Sequence, residues 1–176
     1  MPKRRRGRDR ARASAGELKA PTSDYTDGQG NNHGYVYNIN NNHFRLLSLP
    51  STVTSSTAAA INNHGDIAGF GMIGGKSAGF LLRSNGQFTT LSVPGASMTS
   101  ATGVNDSDEV VGVYQVGSGN NAKLHGFTWQ SGHGFTTIDD PHGIGSTTVN
   151  GVNDKGELVG FYVDGAGNTD GMLATP

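Results

Sequence analysis

The nine residues VNDKGELVG from Val152 to Gly160 have two close relatives upstream, INNHGDIAG from Ile61 and VNDSDEVVG from Val104. A glycine-aromatic phrase recurs with them: HGYVYNI at His33, AGFLLRS at Ala78, HGFTWQS at His125 and DGMLATP at Asp170. Its glycines, Gly34, Gly79, Gly126 and Gly171, stand 45, 47 and 45 residues apart. A period of this length marks a supersecondary unit that cannot bury its apolar face alone and is stable only when stacked on copies of itself.

Each unit reads as four short strands. A small-residue segment (TAAAIN, SATGVN, TVNGVN) leads into the nine-residue phrase, the glycine-aromatic strand follows, and FRLLSLP, FTTLSVP or FTTIDDP closes the unit at Pro50, Pro94 or Pro141. The phrase itself predicts a tight hairpin: Asn153 accepts the turn from its own side chain, Asp154 and Lys155 fill the centre, and Gly156 takes a positive φ without a Cβ clash. Asn62 and Gly65 hold the same places in one copy, Asn105 and Asp108 in another. Asp108 stands where the other copies have glycine, so its replacement by glycine is expected to relieve about 1 kcal/mol of left-handed strain. Gly69, Gly112 and Gly160 fall inside the next strand, where they predict close approach of a neighbouring backbone.

Composition agrees with a turn-rich, all-β chain: 28 of 176 residues are glycine and only 15% are charged. There is no cysteine, hence no disulfide framework and no thiolate metal site. No segment approaches the roughly 18 consecutive apolar residues of a membrane-spanning helix. Charge is unevenly placed, with +6 over residues 1–20 and −7 over the remainder. Residues 1–22 therefore read as a disordered basic arm, too poor in large apolar side chains to order itself, and residues 23–176 as the β-repeat domain. Contact with nucleic acid or an anionic surface is assigned to the arm alone. Arg4-Arg5-Arg6 is not followed by the apolar stretch of an export signal, so no signal peptide is visible.

In ELVGFYV, Leu158, Gly160 and Tyr162 alternate with Val159, Phe161 and Val163, giving a strand that is apolar on both faces. Such a strand is covered on both sides, as in the blades of a propeller. The expected fold is a propeller-like array with two complete and two incomplete blades, each ordered small-residue strand, turn-following strand, glycine-aromatic strand, Phe-Thr-Thr strand. A β-trefoil is the alternative, disfavoured by extra strands at Asp24–Asp27 and Met172–Ala174 that bring the count to fourteen. The incomplete ends predict a homo-oligomer closed through unpaired terminal strands, or a fragment of a longer array.

The phrases GVNDKGELVGFY, LHGF and GFTTIDDP resemble the bacterial HAF-type extracellular repeats, in which an Asn-Asp-x-Gly turn, a Val-Val-Gly strand and a His-Ala-Phe triplet alternate. The resemblance runs from Ser23 to Pro176, although Ala78 and Asp170 replace the histidine in two copies. It implies an extracellular, propeller-like repeat protein without an established activity.

Candidate chemistry is sparse. His33 and His125 share a repeat position and His64 lies in a turn, but two copies lack the histidine, so hydrogen bonding is expected rather than metal binding. Asp66, Glu109 and Glu157 give one acid per turn; their catalytic reading is glycoside hydrolysis, the plainer one strand-end solubility. The loops DGQGN (27–31) and DGAGN (164–168) suggest calcium but lack the bidentate glutamate and the dense alternation of acids. No nucleophile elbow, phosphate loop or dinucleotide fingerprint is present. Trp129, Tyr37 and Tyr114 are the candidate ligand rim, by stacking on sugars. The expected function is a non-catalytic interaction or structural module without a cofactor, binding a protein or glycan. The alternatives are a carbohydrate-binding lectin and, more distantly, a glycoside-processing enzyme.

Overall fold

A computed structural model describes residues 22–176, so the arm expected over 1–22 falls outside the described residues except for Thr22. The described residues are all-β, with fourteen strands in four separate antiparallel sheets. The first sheet holds β1 (Thr22–Thr26), β2 (Asn32–Asn38) and β3 (His43–Leu46). The second holds β4 (Val53–Ile61), β5 (Ile67–Ile73), β6 (Lys76–Leu82) and β7 (Phe88–Leu91). The third holds β8 (Met98–Val104), β9 (Val110–Val116), β10 (Lys123–Gln130) and β11 (Gly134–Ile138), and the fourth β12 (Thr147–Val152), β13 (Leu158–Val163) and β14 (Thr169–Ala174). Strand order within each sheet is sequential, so every connection is a hairpin. A trefoil would merge six strands into a barrel; here the pairing keeps four sheets apart. The extra strand expected at Asp24–Asp27 is β1, shifted two residues earlier at its start.

The small-residue strand makes the contact between consecutive sheets. β4 packs on β1 and β2, β8 on β5 and β6, and β12 on β9 and β10. Small side chains are needed because the approach is close. A Cβ added at Gly34 would lie 3.1 Å from the Ala58 nitrogen, one at Gly79 would lie 3.1 Å from the Ala101 nitrogen, and one at Gly126 would lie 2.7 Å from Val149 Cγ2. Three apolar clusters fill the spaces between sheets, centred on Ile67 and Phe80, on Leu81, Val110 and Phe127, and on Val111, Val149 and Leu158. β9 is buried from Val110 to Tyr114, but β13, the strand expected to be covered on both faces, is not: it belongs to the fourth sheet, on which no further sheet packs among the described residues, and Val159 is 50% exposed.

One irregularity repeats. β4, β8 and β12 each slip register against the following strand, between Ala58 and Ala60, Ala101 and Gly103, and Val149 and Gly151. Just before each slip a carbonyl lies over a glycine of the next strand: a Cβ at Gly69, Gly112 or Gly160 would sit 2.3, 2.0 and 2.0 Å from the oxygens of Thr57, Ser100 and Thr148. Glycine is required there by its own sheet, within the hairpin, rather than by the next sheet.

Candidate functional site

The three equivalent turns lie side by side and bond to one another. In each, the Asn side-chain oxygen accepts two backbone N–H groups: His64 and Asp66 on Asn62, Ser107 and Glu109 on Asn105, Lys155 and Glu157 on Asn153. Each turn then closes with a backbone bond from the left-handed residue, at Gly65 (φ 84°), Asp108 (φ 58°) or Gly156 (φ 77°). The Asn amide group is left to donate outward. Asn62 Nδ2 donates to the Asn105 carbonyl at 3.0 Å, and Asn105 Nδ2 to the Asn153 carbonyl at 3.1 Å.

A second row runs parallel to the first. The Asn63 backbone N–H donates to Asp106 Oδ1 at 2.8 Å, and the Asp106 N–H donates to Asp154 Oδ1 at 2.9 Å. Asn63 Nδ2 adds a bond to Asp106 Oδ2, and the Asn63 side chain and backbone together hold the Asp106 carboxyl below its ordinary range. The ladder explains why the phrase begins with two Asn/Asp residues. The first builds its own turn, and the second accepts from the turn before it. Turn chemistry predicts the first role from sequence; the second links residues 43 or 48 apart and has no local signal.

The per-turn acids are tied into the same structure. Asn62, Asn105 and Asn153 donate through Nδ2 to Asp66, Glu109 and Glu157 respectively. Burial opposes ionisation of Asp66, but the Ser84 N–H and the Asn62 amide hold its carboxyl below the usual range. Asp108 also pairs with Arg83 across the second and third sheets, both side chains about three-quarters buried. Its Oδ1 is the buried side-chain oxygen left without a partner among the described residues. The Arg83 pair corrects the expectation for Asp108, since the strained residue also supplies a charge that glycine would remove.

The two glycine-rich loops share one pattern of hydrogen bonds. Asp27 Oδ1 accepts the N–H groups of Gln29 and Asn31, and Asp27 Oδ2 accepts from His33 Nε2 at 2.7 Å. Asp164 accepts from the Ala166 and Asn168 N–H groups and from Asn168 Nδ2. His33, followed by the Asn31 and Gln29 amides, holds Asp27 far below the carboxylate range; the Asn168 side chain and backbone lower Asp164. Each aspartate thus closes its own turn by local bonding.

His33 and His125 stand at matched places. Each sits beside a tyrosine of the adjacent strand, Tyr25 at 5.2 Å and Tyr114 at 5.2 Å between ring centres, and each bonds an aspartate, Asp27 or Asp139. Beside each lies a groove between sheets. One, of about 190 Å³, runs along His33, Gly34, Leu47, Ser55 and Ser56. The other, of about 120 Å³, runs along His125, Asp139, Gly143, Ser146 and Thr147. Hydroxyl groups edge both: Ser56 Oγ accepts the Gly34 N–H, and Thr147 Oγ1 accepts the Asp140 N–H. His64 remains in its exposed turn, away from both grooves.

The aromatic rim is not assembled. Tyr37 belongs to the first sheet, where it packs at a tilt against Phe44 and donates to Asn42. Tyr114 is buried, bonded to Thr137 and stacked on His125. Trp129 is on the same sheet but pairs with Val110, at the other end of the β9–β10 hairpin, and packs against the core. Among the described residues no group of three or more histidines and acids is placed to hold a metal ion, and no helix is long and apolar enough to cross a membrane. No family model matches the chain, and no curated protein matches it.

Proposed function

We propose that the chain is a non-catalytic binding or structural module, a propeller-like β-repeat of the HAF type that works outside the cell. One observation carries this reading: the polar residues of the recurring turns are engaged in folding those turns or in joining one turn to the next. Asn62, Asn105 and Asn153 fold the turns, Asp106 and Asp154 accept across them, and Asp66, Glu109 and Glu157 are each held by their own asparagine. A general acid or nucleophile needs a carboxyl aimed at open space. Four units with a shared interface suit a scaffold whose function lies on its surface.

The matched grooves beside His33 and His125 favour a second reading, a lectin-like module. Hydroxyls, imidazole edges and backbone amides in a shallow cleft can bond a sugar ring's hydroxyl groups. A glycan array probed with the full chain tests both readings, beside a pull-down from native lysate and culture medium. The lectin reading expects a glycan signal that His125→Ala weakens and Trp129→Ala leaves in place. The module reading expects a protein partner and no turnover of glycosides; release of reducing sugar by the purified chain would contradict it.

A further inference from the structure

The stack has two ends, and both are apolar. Ala68, Leu81 and Val111, on the faces of the second and third sheets that receive the next sheet, are 0% exposed. Their counterparts in the fourth sheet, Val159 and Leu173, pair with one another and are 50% and 71% exposed. Gly171 continues the series Gly34, Gly79 and Gly126, yet a Cβ there would meet nothing within 4 Å. This face keeps the small residue and the apolar pair that serve a packed interface, and nothing in the described chain covers it.

At the other end, the first sheet presents an aromatic face. Tyr25, Tyr35, Tyr37 and Phe44 occupy the repeat positions that Tyr114, Phe127, Trp129 and Phe135 hold in the third sheet. There the four aromatics belong to the cluster closed by Ala68 and Leu81 of the preceding sheet. In the first sheet Tyr25 is 45% and Phe44 61% exposed, while Phe44 meets Tyr35 edge to face and Tyr37 at a tilt. Fixed aromatic rings lose little entropy on contact, which suits an interface core.

We infer that these two faces are the halves of one interface between copies of the chain, with the Val159–Leu173 face of one copy seated on the Tyr25–Phe44 face of the next. A second copy is the occupant because the contact continues the internal sheet-to-sheet interface with register-equivalent residues on both sides. It is a face contact rather than a pairing of free strand edges. Being heterologous, it closes two or more copies into a ring or extends them in a row.

Light scattering and sedimentation equilibrium on the full chain test this. Particles are expected at a multiple of 18.3 kDa. Leu173→Arg and Phe44→Arg each alter an exposed residue, so circular dichroism should match the parent while association weakens at least tenfold. Mixing the two variants leaves one intact tail and one intact head, and should restore a two-copy particle. A parent chain that stays at one copy near ~1 mM overturns the inference. So does a dimer lost with Leu173→Arg but kept with Phe44→Arg, the signature of a tail-to-tail contact. A mixture that remains monomeric, or a parent that pairs only with a different chain, also overturns it.

Discussion

Asn105 shows how one side chain serves two levels of structure. Its oxygen caps two amides of its own turn, and its amide group reaches the next turn, with the residue 5% exposed. Asn105→Ala leaves buried donors and an acceptor unpaired and should cost about 2 kcal/mol. Asn153→Ala, at the exposed end of the ladder, should cost about half as much. Urea midpoints measure both, and equal losses would mean that the cross-turn bonds contribute nothing. Asp108→Gly should lower stability by about 1 kcal/mol, because losing the Arg83 pair outweighs relief of left-handed strain. Arg83→Ala should then cost less in the glycine background than in the parent, and a full double-mutant cycle reads that difference.

Acid sensitivity also resides in single residues. Asp27, Asp66, Asp106 and Asp164 all have carboxyls held below their unfolded values. A group with a depressed folded pKa adds stability above its unfolded pKa, and loses it as pH falls through the folded one. The contribution of these four carboxyls should therefore be complete above about pH 5 and should decline below about pH 4. Urea midpoints across that range check the sign, and Asp106→Asn should make the decline shallower.

At the scale of elements, the hairpins and strand order were legible because turn chemistry and two-residue alternation are local. Asn-x-x-Gly states the turn, whereas the two apolar faces of β13 did not state its covering, since Val159 is 50% exposed. The close-approach glycines were legible as well, although sequence could not say which backbone approaches. For Gly112 it is the Ser100 carbonyl of its own hairpin, whereas the approach of Ala101 to Gly79 was not read from sequence. Gly112→Ala should consequently cost about 3 kcal/mol, at the upper end of overpacking. A thermal scan checks this, and a loss under ~1 kcal/mol would mean that the bulge yields easily. The candidate rim of Trp129, Tyr37 and Tyr114 was not legible, since aromatic residues mark cores and rims alike. The grooves beside His33 and His125 needed three dimensions, because each is lined by segments from consecutive sheets.

For the whole molecule, the decisive relation is between sheets. Nearest-neighbour packing makes an array stable in proportion to its interfaces, and all three interfaces here share a small-residue strand and a glycine beneath it, the second and third adding an asparagine ladder along one margin. That arrangement makes a direct measurement possible in a chain without cysteine. A Cβ at Gly79 would lie 3.3 Å from the Ala101 Cβ, close to the separation of about 3.5 to 4.5 Å found in disulfides. The Gly79→Cys, Ala101→Cys double variant should therefore form an intramolecular disulfide on mild oxidation, seen as a reversible mobility shift on a non-reducing gel with the body still folded. Two thiols that stay free, or that cross-link only between chains, would contradict a stack of sheets packed through their first strands.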